Sequence, residues 1–192
     1  MKHTVRTFAA VEINAAIRGT AEKLIESLSQ TGADVKWVAP RNMHLTLKFL
    51  GEVPSKEIPR VCESVARGAA KVEPFEFEVR GAGAFPSAAR PRTLWLGAGS
   101  GEEAMIVLHG HVEKALMKLG FRKEQRRFHP HLTIGRVRRG GPGVEQLGEL
   151  LKQQADLEAG KITVSYVVVF SSELDRSGPI YQTLGRAKLG AT

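Results

Sequence analysis

A chain of 192 residues that is 42% hydrophobic and 25% charged has the composition of a globular protein long enough to bury a core of its own. It holds no run of the roughly 20 apolar residues that a membrane-spanning helix needs, and in the N-terminal MKHTVRTFAAVEIN a glutamate and an asparagine break the apolar stretch, which suits a first strand rather than a signal peptide. The lone cysteine, Cys62, excludes an intramolecular disulfide and a four-thiolate metal site, while a formal charge of +8 points to a polyanionic partner.

In chain order, Val5 to Ile13 predicts a strand, and Asn14 to Ser29 a helix with Ile17, Leu24, Ile25 and Leu28 on one side and Asn14 as its cap. Lys36 to Val38 is a short extended piece before Pro40. His44 to Leu50 is a strand ended by Gly51 and Pro54, and Ser55 to Ala70 a helix capped by Ser55 that carries Cys62 as a small apolar residue. Phe75 to Gly81 and Thr93 to Leu96 read as strands on either side of a Gly/Pro/Ala/Arg loop from Gly83 to Arg92. Glu102 to Leu119 reads as a helix opened by a Ser100–Glu103 capping box. His131 to Val137 is a strand, Val144 to Leu157 a helix, Lys161 to Phe170 one Val-rich strand and Ile180 to Leu184 another.

The series contains two helix-and-strand sets of similar size, each with one His-Leu-Thr-apolar strand: HLTL from His44 and HLTI from His131, 87 residues apart. That separation, close to half the chain, indicates duplication of one unit. No low-complexity linker divides the halves, so the expectation is a single domain over residues 1–192 made of two lobes. On a strand, residues two apart share a face. His44 therefore points with Thr46, and His131 with Thr133, while Leu45, Leu47, Leu132 and Ile134 point into a core. Two imidazoles and two hydroxyls facing one cleft suit phosphodiester cleavage. Imidazole titrates near neutrality, so one ring can take a proton from water while the other gives one to a leaving oxygen. The threonine hydroxyls can donate to the phosphate oxygens. Around the second motif, Arg122, Lys123, Arg126, Arg127, Arg136, Arg138 and Arg139 stand against a single acid, Glu124, which reads as a phosphate-attracting surface, with a merely solvated face as the alternative.

These residues carry a resemblance. RTFAAVEI, WVAPRNMHLTLKFLGEV, GAGAFPSAARPRTLWLG, RRFHPHLTIGRV and SSELDRSGPIYQTL run in order over nearly the whole chain, which is similar to the RNA 2′,3′-cyclic phosphodiesterases, or 2′-5′ RNA ligases, of the 2H phosphoesterases. The resemblance implies an α+β fold of two similar lobes, each an antiparallel sheet backed by helices, related by a pseudo-two-fold with the cleft between them. It implies His44 as proton donor and His131 as proton acceptor, roles that the near-symmetric motifs do not themselves distinguish. Thr46 and Thr133 would hold the phosphate. Arg136, in the HxTxxR pattern, would help neutralise it, although strand alternation places Arg136 on the face away from His131, where a structural ion pair is an equal alternative. Phe8 is a candidate for stacking on a base or for core packing. The implied reaction opens the cyclic phosphate at an RNA end, such as that of a tRNA fragment, to a 2′-phosphate. The reverse 2′-5′ joining needs no cofactor, because the cyclic phosphate stores the bond energy. A cytoplasmic monomer without membrane contact is expected.

Other signals are weaker. GAGSGEE at 97–103 has the outline of a dinucleotide loop but carries Glu102 where a glycine is needed, so it reads as a capped turn. His109 and His111, two apart on a helix, face different ways and read as surface residues. His129, His131 and His44 could in principle supply three nitrogens to a zinc ion, but Pro130 intervenes and no carboxylates accompany them. A plain RNA-binding module, with incidental histidines, is the non-enzymatic alternative.

Overall fold

The structure, a computed structural model, describes residues 4–175 and 178–191; Arg176 and Ser177, within the SSELDRSGPIYQTL stretch, lie outside the described residues. Nine strands and four α-helices alternate along them: β1 (Thr4–Glu12), α1 (Ala15–Ser29), β2 (Val35–Trp37), β3 (His44–Pro54), α2 (Ile58–Ala69), β4 (Phe75–Ser87), β5 (Arg90–Ala98), α3 (Glu102–Met117), β6 (Leu132–Val137), α4 (Val144–Gln153), β7 (Glu158–Val164), β8 (Tyr166–Asp175) and β9 (Gly178–Lys188).

Helix α1 forms as its sequence predicts. Asn14 Oδ1 accepts the Ile17 N–H at 3.0 Å, and the buried Ile17, Ala21, Leu24 and Leu28 recur at helical spacing. The other two expected caps are not made. Ser55 opens a 3₁₀ turn over Ser55–Glu57, and α2 starts only at Ile58, with Pro59 in its first turn. At α3 the N-cap is Gly101, whose φ of +86° a side chain would strain, and no side chain caps the helix. Ser100 is drawn away instead, since its N–H and hydroxyl both donate to Glu78 on β4. Cys62 is half-buried, with its Sγ against Gly185 of β9.

All strand pairs are antiparallel, and the order β7-β4-β5-β6-β3-β1-β8-β9 runs through one continuous sheet, with β2 added beside β6. The seam between β3 and β6 is the pseudo-two-fold: β3-β1-β8-β9 on one side repeats β6-β5-β4-β7 on the other. The fold is thus the expected α+β pair of similar lobes, with their sheets joined at the motif strands. Helix α2 backs β8 and β9, α3 lies across β3 and β4, and α1 and α4 back β4, β5 and β7. Each lobe is therefore covered partly by a helix from the other half of the sequence.

Two stretches differ from expectation. The Gly83 to Arg92 loop is strand down to a two-residue turn, because β4 and β5 pair from Val79–Ala98 to Ser87–Arg90. Its glycines are not breakers here: the Trp95 ring of the paired strand fills the space a Cβ at Gly83 would need. The Val-rich run 161–170 is two strands parted at Ser165, since β7 pairs with β4 in one lobe and β8 with β1 in the other. The core lies between sheet and helices, with Leu45, Leu94, Leu96, Leu132, Ile134 and Met105 at 2% exposure or less.

Candidate active site

Strands β3 and β6 meet at Leu45 and Leu132, the middle residues of the two HLT motifs. On an antiparallel register this sets His44 across from Thr133 and Thr46 across from His131. With both leucines buried beneath the helices, all four polar side chains face the opposite, helix-free side. The imidazoles stand on a diagonal of about 7–8 Å at the backbone, room for a phosphate that hydrogen-bonds at about 2.6–3.2 Å to each.

Both rings are anchored the same way. His44 Nδ1 lies 2.7 Å from the Asn42 carbonyl, and His131 Nδ1 lies 2.7 Å from the His129 carbonyl. A carbonyl only accepts, so each Nδ1 carries the proton and each Nε2 is left to work in the cleft. Burial pushes both imidazoles below their ordinary value of 6.5, against the opposing effect of these backbone bonds; at His131 the charges of Arg136 and His129 lower it further. Asn42 is itself held, its side-chain amide donating to the Pro179 carbonyl at 2.8 Å.

The register decides which neighbours join the histidines. In β6, Trp95 pairs with Thr133 but Leu94 pairs with Gly135, so one extra residue bulges out at Ile134. The bulge reverses the alternation beyond it. Arg136, paired with Thr93, therefore lies on the face of Thr133 and His131, not on the opposite face that simple alternation predicts. There it donates to Thr93 Oγ1 at 3.0 Å and has no ion-pair partner among the described residues, so the structural ion pair is not formed. Phe8 shares the face of His44 and Thr46, but at 2% exposure it is packing beneath the imidazole, centroids 4.8 Å apart. The edge of Tyr181 completes that wall at 5.3 Å from His44, and Phe85 stands edge-on to His131 at 5.1 Å. Beside His44 a groove of about 530 Å³ is lined by Arg18, Arg41, Phe170, Ile180, Tyr181 and Thr183, among others.

Several of these positions escape sequence reasoning. Burial raises the Tyr181 hydroxyl above its ordinary value, and Arg6, two before Phe8 on β1 and on the same face, lies close enough with Arg136 to offset part of that rise; the period-2 pattern alone could have found Arg6. The Asn42 and His129 carbonyls have no side-chain signature. His109 is not a surface residue: it is 9% exposed and lies face-on to Phe128 at 4.0 Å. The basic cluster divides in two, because six-residue β6 puts roughly 20 Å between the Arg122–Arg127 loop and Arg138–Arg139, and Arg138 pairs with Asp34. The His129 side chain is exposed and approaches Phe85, and among the described residues no three His, Cys, Asp or Glu side chains gather as a metal site.

Two matched lobes that present paired His-x-Thr strands to one cleft define a two-histidine phosphoesterase. The family profile described as LigT like Phosphoesterase matches residues 11–95 and again 96–181, and the chain belongs to that family. It is 37% identical to an RNA 2′,3′-cyclic phosphodiesterase of Aeropyrum pernix, over 91% of this chain and 97% of that protein. It is 39% identical to one of Methanothermobacter thermautotrophicus, over 92% and 95%. The fold superposes on a crystal structure of a Thermus thermophilus protein with a TM-score of 0.75 at 27% identity, covering 96% of this chain and 98% of that one.

Proposed function

We propose that this enzyme hydrolyses the 2′,3′-cyclic phosphate at RNA ends to a 2′-phosphate, with His44 as acid and His131 as base. The observation that carries the reading is the pair of imidazoles fixed through Nδ1 on backbone carbonyls across the Leu45–Leu132 register, each with Nε2 free for the cleft. The His131 Nε2 takes a proton from water as its oxygen bonds to phosphorus. The bond from phosphorus to the ribose 3′ oxygen breaks, and that oxygen takes the proton held by His44 Nε2. Thr46 and Thr133 donate to the non-bridging oxygens, and Arg136 balances their charge. A positioned acid and base each contribute about 10² to 10⁴ in rate. An RNA 5′-hydroxyl in place of water makes a 2′-5′ bond by the same proton movements, with no cofactor.

RNA as the substrate class is supported by the relatives' activity, the +8 charge and the aromatic wall beside His44. A purely RNA-binding role would leave the matched Nδ1 anchors without use. The reading takes residues 1–192 as one two-lobed working unit, a cytoplasmic monomer acting on ends such as those of tRNA fragments. No helix among the described residues is long and apolar enough to cross a membrane. The test is incubation with a short RNA ending in 2′,3′-cyclic phosphate, followed by an enzyme that removes only 3′-phosphates. The product is expected to resist; complete phosphate release would refute the regiochemistry, and an intact cyclic end would refute the activity.

A further inference from the structure

Residues 121–131, which lead from α3 to the second motif, form neither helix nor strand. They are nevertheless tied down at three points. Lys48, paired with Ala9 on the helix-facing side of β3, is buried against Glu113 of α3 at 2.7 Å, with both side chains 8% exposed. Its ammonium also donates to the Arg122 carbonyl at 2.8 Å, and the same Glu113 oxygen accepts the Glu124 N–H at 2.8 Å. Further along, Phe128 lies flat on His109. Among the described residues no other ion pair is buried on both sides.

A buried ion pair is an inefficient source of stability, because desolvation offsets most of the attraction, and apolar replacements often match it. What this pair does distinctively is fix the course of the loop between its two carbonyl and amide contacts. The side chains so displayed are Arg122, Lys123, Arg126 and Arg127, all exposed and none in an ion pair among the described residues. The loop enters β6 antiparallel to β3, so it runs back beside the far half of β3, tied there through Lys48, and leads directly to His131. A row of exposed cations on a segment that ends at His131 is what the backbone phosphates of a nucleic-acid strand use.

We infer that Lys48 and Glu113 are positioning residues that hold the 122–127 loop in the shape that receives the RNA strand leading into the cleft. The inference rests on the cyclic-phosphate esterase reading above. Its test compares KM on a 2′,3′-cyclic mononucleotide, which cannot reach the loop, with KM on a short RNA ending in cyclic phosphate. Glu113→Gln strands a buried lysine and is prone to unfold, so the informative variant is the apolar pair Lys48→Met/Glu113→Leu, which keeps the volume filled. In that variant KM for the RNA is expected to rise about tenfold more than KM for the mononucleotide, the loss of one or two phosphate contacts, with a shallower salt dependence. Arg126→Ser/Arg127→Ser, confined to exposed side chains, should raise the RNA KM in the same way and does not depend on core packing. Wild-type enzyme inactive on both substrates would overturn the esterase reading and this inference with it. Active wild type, with both KM values or both kcat values moving in parallel in the apolar pair, would overturn this inference alone and leave the pair as ordinary support of the fold.

Discussion

Three histidines, His44, His129 and His131, separate proton transfer from metal catalysis. His131→Ala removes the group whose Nε2 faces the cleft, and a general base is worth about 10² to 10⁴ in rate, so kcat should fall by that factor. His44→Ala should cost a similar factor. The double variant should lose little beyond the worse single one, since acid and base act as a unit. His129→Ala is different. Its contribution to the site is the main-chain carbonyl that holds His131 Nδ1 at 2.7 Å, and alanine keeps that carbonyl. Its exposed ring touches only the edge of the Phe85 environment, centroids 6.4 Å apart, and its removal also lifts one of the charges that lower His131. Activity within a few-fold of wild type is therefore expected. The assay is cyclic-phosphate hydrolysis under saturating substrate, each variant with and without a strong chelator. In a three-histidine zinc site every ligand would matter alike and chelation would stop turnover. Loss of activity in His129→Ala equal to that in His131→Ala, or chelator-sensitive activity restored by zinc, would refute the two-histidine reasoning.

Burial lowers both catalytic candidates below 6.5, and hydrolysis needs one of them protonated, so the bell of kcat/KM against pH should centre on the acid side of 6.5; a centre above 7 would contradict the assignment. Stability should follow the same groups. His44, His109 and His131 all have depressed folded values, so between those values and 6.5 the unfolded chain binds more protons, and stability present in full above 6.5 is lost as pH falls through that window. The depressed carboxyls Glu78 and Glu113 act only lower, below their ordinary 4.5. Urea midpoints at neutral and mildly acid pH check this, and a flat profile refutes it. Thr46→Ala and Thr133→Ala each remove one hydroxyl that the proposed mechanism has donating to a charged phosphate, a bond worth about 1.5–3 kcal/mol, so kcat/KM should drop about 10- to 150-fold in each; a loss confined to one of them would break the two-fold equivalence of the motifs.

Much of the site was legible from the chain because strand alternation is a local property. The shared face of His44 with Thr46 and of His131 with Thr133 follows from backbone geometry, and so does the burial of Leu45 and Leu132. Local chemistry likewise accounts for Asn14 at the start of α1. Where a partner strand or helix intervened, local rules failed. The face of Arg136 depends on one bulged residue opposite β5, and a bulge is a fact about two strands, not one. The fate of Ser100 depends on Glu78, 22 residues away, whose carboxylate accepts its hydroxyl and N–H, so the hydroxyl does not turn to accept from the N–H groups of the helix end. The division of residues 161–170 at Ser165 arises because β4 and β1 belong to different lobes. The sequence by itself thus determined the duplicated His-x-Thr motifs, the α+β alternation and the +8 charge, since each is written in residue type and short-range spacing. Only the tertiary structure decided that the two motifs meet at their leucines, that carbonyls two residues upstream orient both imidazoles, and that a buried Lys48–Glu113 pair bonds to the basic loop at Arg122 and Glu124. The Leu45–Leu132 pairing and the Lys48–Glu113 pair join residues far apart in the chain, and the carbonyl anchors, though only two residues away, have no side-chain signature and depend on how the strand entries are held.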